Sequence, residues 1–145
     1  MSTVYSSIDQ HPDLLALRAG YGRTAESAVI QGALGLALLT GLYIAISPWV
    51  IGFDGTSRLV VINLIGGIAA AVLAVGFSSA FDRTHGMTWT MPLLGIWQII
   101  APWVHRGPLP TAGMVWSNVV SGALITVLGI VVVTYVARVR SSIPR

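Results

Sequence analysis

The chain has 145 residues, is 54% hydrophobic and only 9% charged, and carries a net charge of +3 with a mean hydropathy of +0.80. An ordinary soluble domain is about one quarter charged. This composition therefore excludes a cytosolic enzyme, a nucleic-acid-binding module and a disordered chain, and it points to an integral membrane protein made almost wholly of spans. About four spans of ~20 residues, the length set by a ~30 Å hydrocarbon core, use more than half the chain and leave no room for a folded domain outside the membrane.

Residues 1–24 read as a polar cytoplasmic tail in which Leu14, Leu15 and Leu17 make at most one helical turn before Gly20 and Gly22 break it. Acids at Asp9, Asp13 and Glu26 and the lack of a basic leader before an early apolar core argue against a signal peptide. Thr24 is the expected N-cap of a first span over 25–47, which ends at Ser47-Pro48-Trp49 because proline lacks an N–H and clashes with the preceding turn. Asp54-Gly55 marks a turn, and Thr56 or Ser57 caps a second span over 58–77. Together 25–77 form a first two-helix unit. A polar cytoplasmic loop follows at 78–87, then a second unit over 88–135, then a basic tail at 136–145. Within the second unit a short third span covers 88–104 and a fourth 112–135. The third begins with Pro92 in its first turn, where a missing N–H costs little.

Four spans place both termini on one side. Arg18, Arg23, Arg83, Arg138, Arg140 and Arg145 then share the side of the termini, against Arg58 and Arg106 opposite, so the positive-inside bias puts both termini in the cytoplasm.

Two segments match at a separation of 54 residues: Gly41-Leu-Tyr-Ile-Ala-Ile-Ser47-Pro48-Trp49-Val50 and Gly95-Ile-Trp-Gln-Ile-Ile-Ala101-Pro102-Trp103-Val104. After one inserted residue, Asn63-Leu-Ile-Gly66-Gly67 aligns with Asn118-Val-Val-Ser121-Gly122. The expected fold is all-α, with four transmembrane helices built from two parallel two-helix repeats rather than the inverted repeats of many transporters. These residues resemble the SPW-repeat family of small bacterial and archaeal membrane proteins. The resemblance covers about residues 27–135, and Ala101 departs from the motif at its serine. It implies the fold and a bacterial plasma-membrane location, and it brings no agreed activity.

In physical terms the Pro-Trp motif is first a structural device. Proline ends or kinks the helix, Ser47 helps satisfy a carbonyl left without its N–H, and Trp49 and Trp103 fix the depth at the headgroup level. The sharper alternative is an outward groove in which Trp49 and Trp103 hold a lipid, a quinone or a partner helix. Asn63 and Asn118 are costly in lipid unless bonded, so they are expected in inter-helix hydrogen bonds, with a shared polar ligand site as the alternative. Gln31 and Gln98 are similar but have no repeat partner.

No Asp, Glu, Lys, Arg or His lies deep in an expected span, cysteine is absent, and no nucleophile–base pair stands out. No catalytic, cofactor-binding or metal-ligating set is expected. The reading is a non-catalytic scaffold or accessory subunit, by analogy in a respiratory or other energy-converting complex. Its partners would be other membrane subunits or copies of itself, together with membrane lipids, with no nucleic acid and no soluble substrate. The alternatives are a small oligomeric transporter or channel, and a lipid- or quinone-binding module.

Overall fold

The computed structural model describes residues 11–25, 27–55, 57–104 and 109–141. The elements in order are α1 (Pro12–Ala25), α2 (Ala28–Ile51), α3 (Ser57–Ser79), a single turn α4 (Phe81–Thr84) continued as a 3-10 turn (His85–Met87), α5 (Thr90–Val104) and α6 (Ala112–Ser141).

The expected count of four spans is corrected by helix length. Among the described residues, three helices are long and apolar enough to cross a membrane: Ala28–Ile51, Arg58–Ser79 and Ala112–Val139. Of the segment expected as a third span, 88–104, only Thr90–Val104 is continuous helix (α5), while α4 and the 3-10 turn lie in the expected loop 78–87. The 15 residues of α5 span only about 22 Å, well short of a ~30 Å hydrocarbon core. The polar run around Asp82 and Gly86 diverts the chain before the apolar stretch begins, so the apolar residues available to one helix are too few.

The N-terminal segment also departs from expectation. α1 runs straight through Gly20 and Gly22 as a 14-residue helix with Pro12 first and Asp13 in its first turn. It is held by docking rather than propensity. A Cβ on Gly20 would lie 3.2 Å from Val139 of α6, and Leu17 packs on the main core. α1 also packs against α4, so Arg18, Arg23, Arg83 and the Arg138 end of α6 gather at one end of the bundle. There the Arg138 guanidinium lies 6.0 Å from the centre of the Tyr135 ring.

The N-cap of α2 is Ser27 rather than Thr24: its Oγ accepts from Ile30 N–H at 3.3 Å. The expected cap at Thr56 lies outside the described residues, as do Arg106 and Arg145. At its other end α2 does not stop at Pro48. It continues one more turn to Ile51 and ends on Gly52, whose φ of 85° is the left-handed conformation only glycine adopts freely. The Pro48 carbonyl accepts from both Gly52 N–H at 3.0 Å and Phe53 N–H at 2.8 Å, closing the helix end.

Two antiparallel hairpins, α2–α3 and α5–α6, make the body of the fold. Glycine sets both crossings. A Cβ on Gly41 would lie 2.8 Å from Gly67 O and 2.8 Å from Ala71 N. One on Gly95 would lie 2.7 Å from Gly122 O and 2.5 Å from Thr126 N. These contacts follow the sequence repeat, position by position. The backbones touch because lipid gives no hydrophobic drive between helices, so close packing must supply the attraction. A large core forms around Ile30, Leu34, Ile44, Phe77, Met91, Ile125 and Val132, and a smaller one around Phe53, Leu59, Ala101 and Met114. Along each helix the polar residues described next fall between the two.

Candidate functional site

The strongest concentration of polar chemistry is a buried junction of Ser47 on α2, Asn63 on α3, Gln98 on α5 and Asn118 on α6. Their exposures are 1%, 0%, 2% and 1%.

It starts from the proline. Pro48 has no N–H for the carbonyl four residues back, that of Ile44. The Ser47 hydroxyl donates to that carbonyl instead, at 2.8 Å. With its hydrogen committed, Ser47 Oγ can only accept, and Asn63 Nδ2 donates to it at 3.1 Å. This fixes the Asn63 amide with Oδ1 facing inward. At the far side Asn118 Nδ2 donates to the Met114 carbonyl at 2.9 Å, which turns its Oδ1 inward as well. Two oxygens then face Gln98, so only its amide nitrogen can answer both. Nε2 donates to Asn63 Oδ1 at 2.6 Å and to Asn118 Oδ1 at 2.7 Å, using both its hydrogens.

The same logic leaves Gln98 Oε1 pointing away from the junction, buried and without a hydrogen-bond partner among the described residues. It rests over Gly66, where a Cβ would lie 2.8 Å from it. An unpaired buried carbonyl costs about 1–3 kcal/mol. Here the oxygen lies against a bare glycine Cα, where a weak C–H contact is the nearest substitute.

The two asparagines thus do not bond to each other. A glutamine from the second hairpin bridges them. The sequence groups Gln98 with Asn63 and Asn118 as a polar residue within a span but does not mark it as their bridge, because its repeat counterpart is Ile44, an apolar core residue. The signal lies in helical spacing. Gln98 is three residues after Gly95 and three before Ala101, on the face that packs on α6.

The motif residues divide by burial. Ser47 and Pro48 are interior, and so is Pro102, whereas Trp49 and Trp103 turn outward with 56% and 58% exposure. A tryptophan that exposed beside a fully buried proline behaves as a depth marker. Cavities among the described residues are lined by other side chains. One runs between α2 and α6 beside Tyr43 and Ser117, one near Trp89 and Val133, and one near Gln31 and Ser78, where Ser78 Oγ donates to Gln31 Oε1 at 3.1 Å.

Chemically, the junction is a set of neutral donors and acceptors that bond to one another or to their own helices, apart from Gln98 Oε1. Its members hold no proton that titrates near neutrality and no nucleophile beside a base. Among the described residues, no group of three His, Cys, Asp or Glu side chains gathers in a way that would hold a metal. A family model described as the SPW repeat domain matches residues 29–132. No curated protein and no solved structure matches the chain.

Proposed function

The chain belongs to the SPW-repeat family of multi-helix membrane proteins, and on that premise we propose that it is a non-catalytic membrane scaffold or accessory subunit. One observation carries the reading. Asn63 and Asn118, buried on different hairpins, are bridged by Gln98, while the outward faces of the described helices are apolar and exposed. Leu39, Ile65, Val72 and Val127 are all more than half exposed, and a Cβ added to Gly32 or Gly35 on α2 would meet nothing within 4 Å among the described residues. Such faces admit lipid or the close approach of another helix.

The location that fits is a bacterial plasma membrane with the arginine-rich end inside. Arg18 and Arg23 on α1, Arg83 on α4 and Arg138 on α6 gather there, and Arg58 starts α3 at the opposite end. α1 packs on α6 at that end, so the segments at both ends of the chain share it, and the asymmetry supports their cytoplasmic placement.

The experiment is gentle extraction through a C-terminal tag followed by native mass spectrometry. A stoichiometric complex with other membrane subunits, or a defined homo-oligomer, is the expected result. A lipid-bearing monomer at every protein concentration overturns the reading.

A further inference from the structure

A second polar feature lies on the lipid side, where α2 and α6 part. Thr40, Tyr43, Ser117, Val120, Ser121 and Leu124 line an open cavity of about 350 Å³, inside the range of small-ligand sites. Its hydroxyls can be counted. Thr40 Oγ1 donates to the Leu36 carbonyl at 2.7 Å, and Ser121 Oγ donates to the Ser117 carbonyl, so both hydrogens are turned into their own helices. Tyr43 Oη and Ser117 Oγ lie 3.2 Å apart and share one hydrogen. Two hydroxyls bring two hydrogens, and the shared bond uses only one. Whichever oxygen donates, one O–H of this pair is left over at the cavity floor. In hydrocarbon there is no water to take it, and an unmet donor is costly.

The missing partner is therefore an acceptor. It is uncharged, because no charged side chain among the described residues lines the cavity, and the walls at Val120 and Leu124 call for an apolar body. Depth narrows it further. Tyr43 precedes Trp49 by six residues, about 9 Å of helix, and a helical side chain leans towards the N-terminus, away from the tryptophan level. The ester carbonyls of phospholipids lie near that level, tethered to their headgroups. A carbonyl on a freely diffusing ring can reach the deeper position.

We propose that the Tyr43–Ser117 cavity binds an uncharged lipid-soluble ring carbonyl, of the quinone class, which accepts the spare hydroxyl hydrogen. The site is separate from the buried junction and from Trp49 and Trp103, and it does not depend on the accessory-subunit reading.

The test uses the full chain in nanodiscs of a single phosphatidylcholine, with an azido-substituted decylubiquinone as photolabel and unlabelled decylubiquinone as competitor. Labelled peptides should contain residues 39–43 and 117–124, and the competitor should remove the label. Val120→Trp fills the cavity and should abolish competable labelling. Tyr43→Phe with Ser117→Ala removes the donor and should weaken apparent affinity about tenfold, the loss of one hydrogen bond. Leu93→Trp, on an exposed position of α5 away from the cavity, should label as the parent does. Label spread evenly over the lipid-facing helices overturns the proposal. So do label displaced equally by a short-chain phosphatidylcholine, and unchanged labelling in both the filled and the donor-free variants.

Discussion

In the first hairpin a serine precedes the proline and an isoleucine sits one turn earlier. In the second hairpin those same places hold Ala101 and Gln98. The polar group has moved by three residues, one turn of helix, between otherwise matching units. The move changes what each unit can do. Ser47 acts locally, relieving the Ile44 carbonyl that Pro48 leaves open and anchoring Asn63 within its own hairpin. Gln98 has a longer arm and two donor hydrogens, and it reaches both asparagines. Asn118, with no serine opposite it, turns its amide to the Met114 carbonyl of its own helix. Two copies of the first arrangement would each be self-contained. One copy of each arrangement ties the hairpins together.

If the glycine crossings are equivalent in the two hairpins, Gly41→Ala and Gly95→Ala, at matching positions of the repeat, should be equally damaging. Both methyls would meet backbone atoms of the facing helix, and the expected cost is about 3 kcal/mol each. Gly35→Ala, with nothing near its new methyl among the described residues, should stay within about 0.5 kcal/mol of the parent. Detergent-micelle unfolding by added SDS, followed by circular dichroism, measures all three. A large difference between Gly41 and Gly95 would break the equivalence.

Gln98→Leu should cost about 2 kcal/mol, because it strands two buried carbonyl oxygens while removing one already unpaired. The motif difference gives a smaller, sharper pair. Ser47→Ala should cost about 1 kcal/mol, since it leaves both the Ile44 carbonyl and Asn63 Nδ2 short of a partner. Ala101→Ser should change stability by less than about 0.5 kcal/mol, because Asn118 already has its acceptor. Equal effects would mean that the serine is not used differently in the two halves. Smallest of all, Trp49→Ala and Trp103→Ala should each fall within about 0.5 kcal/mol, because both rings lie outside the packed interior. Their effect should emerge instead as altered depth, read by quenching of the remaining tryptophans with brominated lipids.

Much of this is legible in the residues. The repeated Gly41/Gly67 and Gly95/Gly122 pairs announce close crossings, and Asn63 and Asn118 announce buried bonding, because an amide in a span must find a partner. Three features are not. Pro48 reads as a helix end, yet Ser47 supplies the missing donor and Gly52 supplies the stop, so the helix gains a turn. Gly20 and Gly22 read as helix breakers, yet α1 persists through its packing on α6, an effect of tertiary contact that local propensity does not carry. The third apolar run reads as a span, yet continuous helix begins only at Thr90, which leaves α5 too short. Gln98 is visible, but the repeat alignment points away from it: its counterpart is apolar, and its role exists only where the two hairpins meet.

The central claim is that Gln98 couples two asparagines that do not touch. The most direct measurement is a double-mutant cycle of Asn63→Leu and Asn118→Leu, run once with Gln98 present and once in a Gln98→Leu background, by SDS-titrated unfolding. The account predicts an interaction energy of about 0.5–1 kcal/mol with Gln98 and none without it. Additive losses in both backgrounds would contradict it.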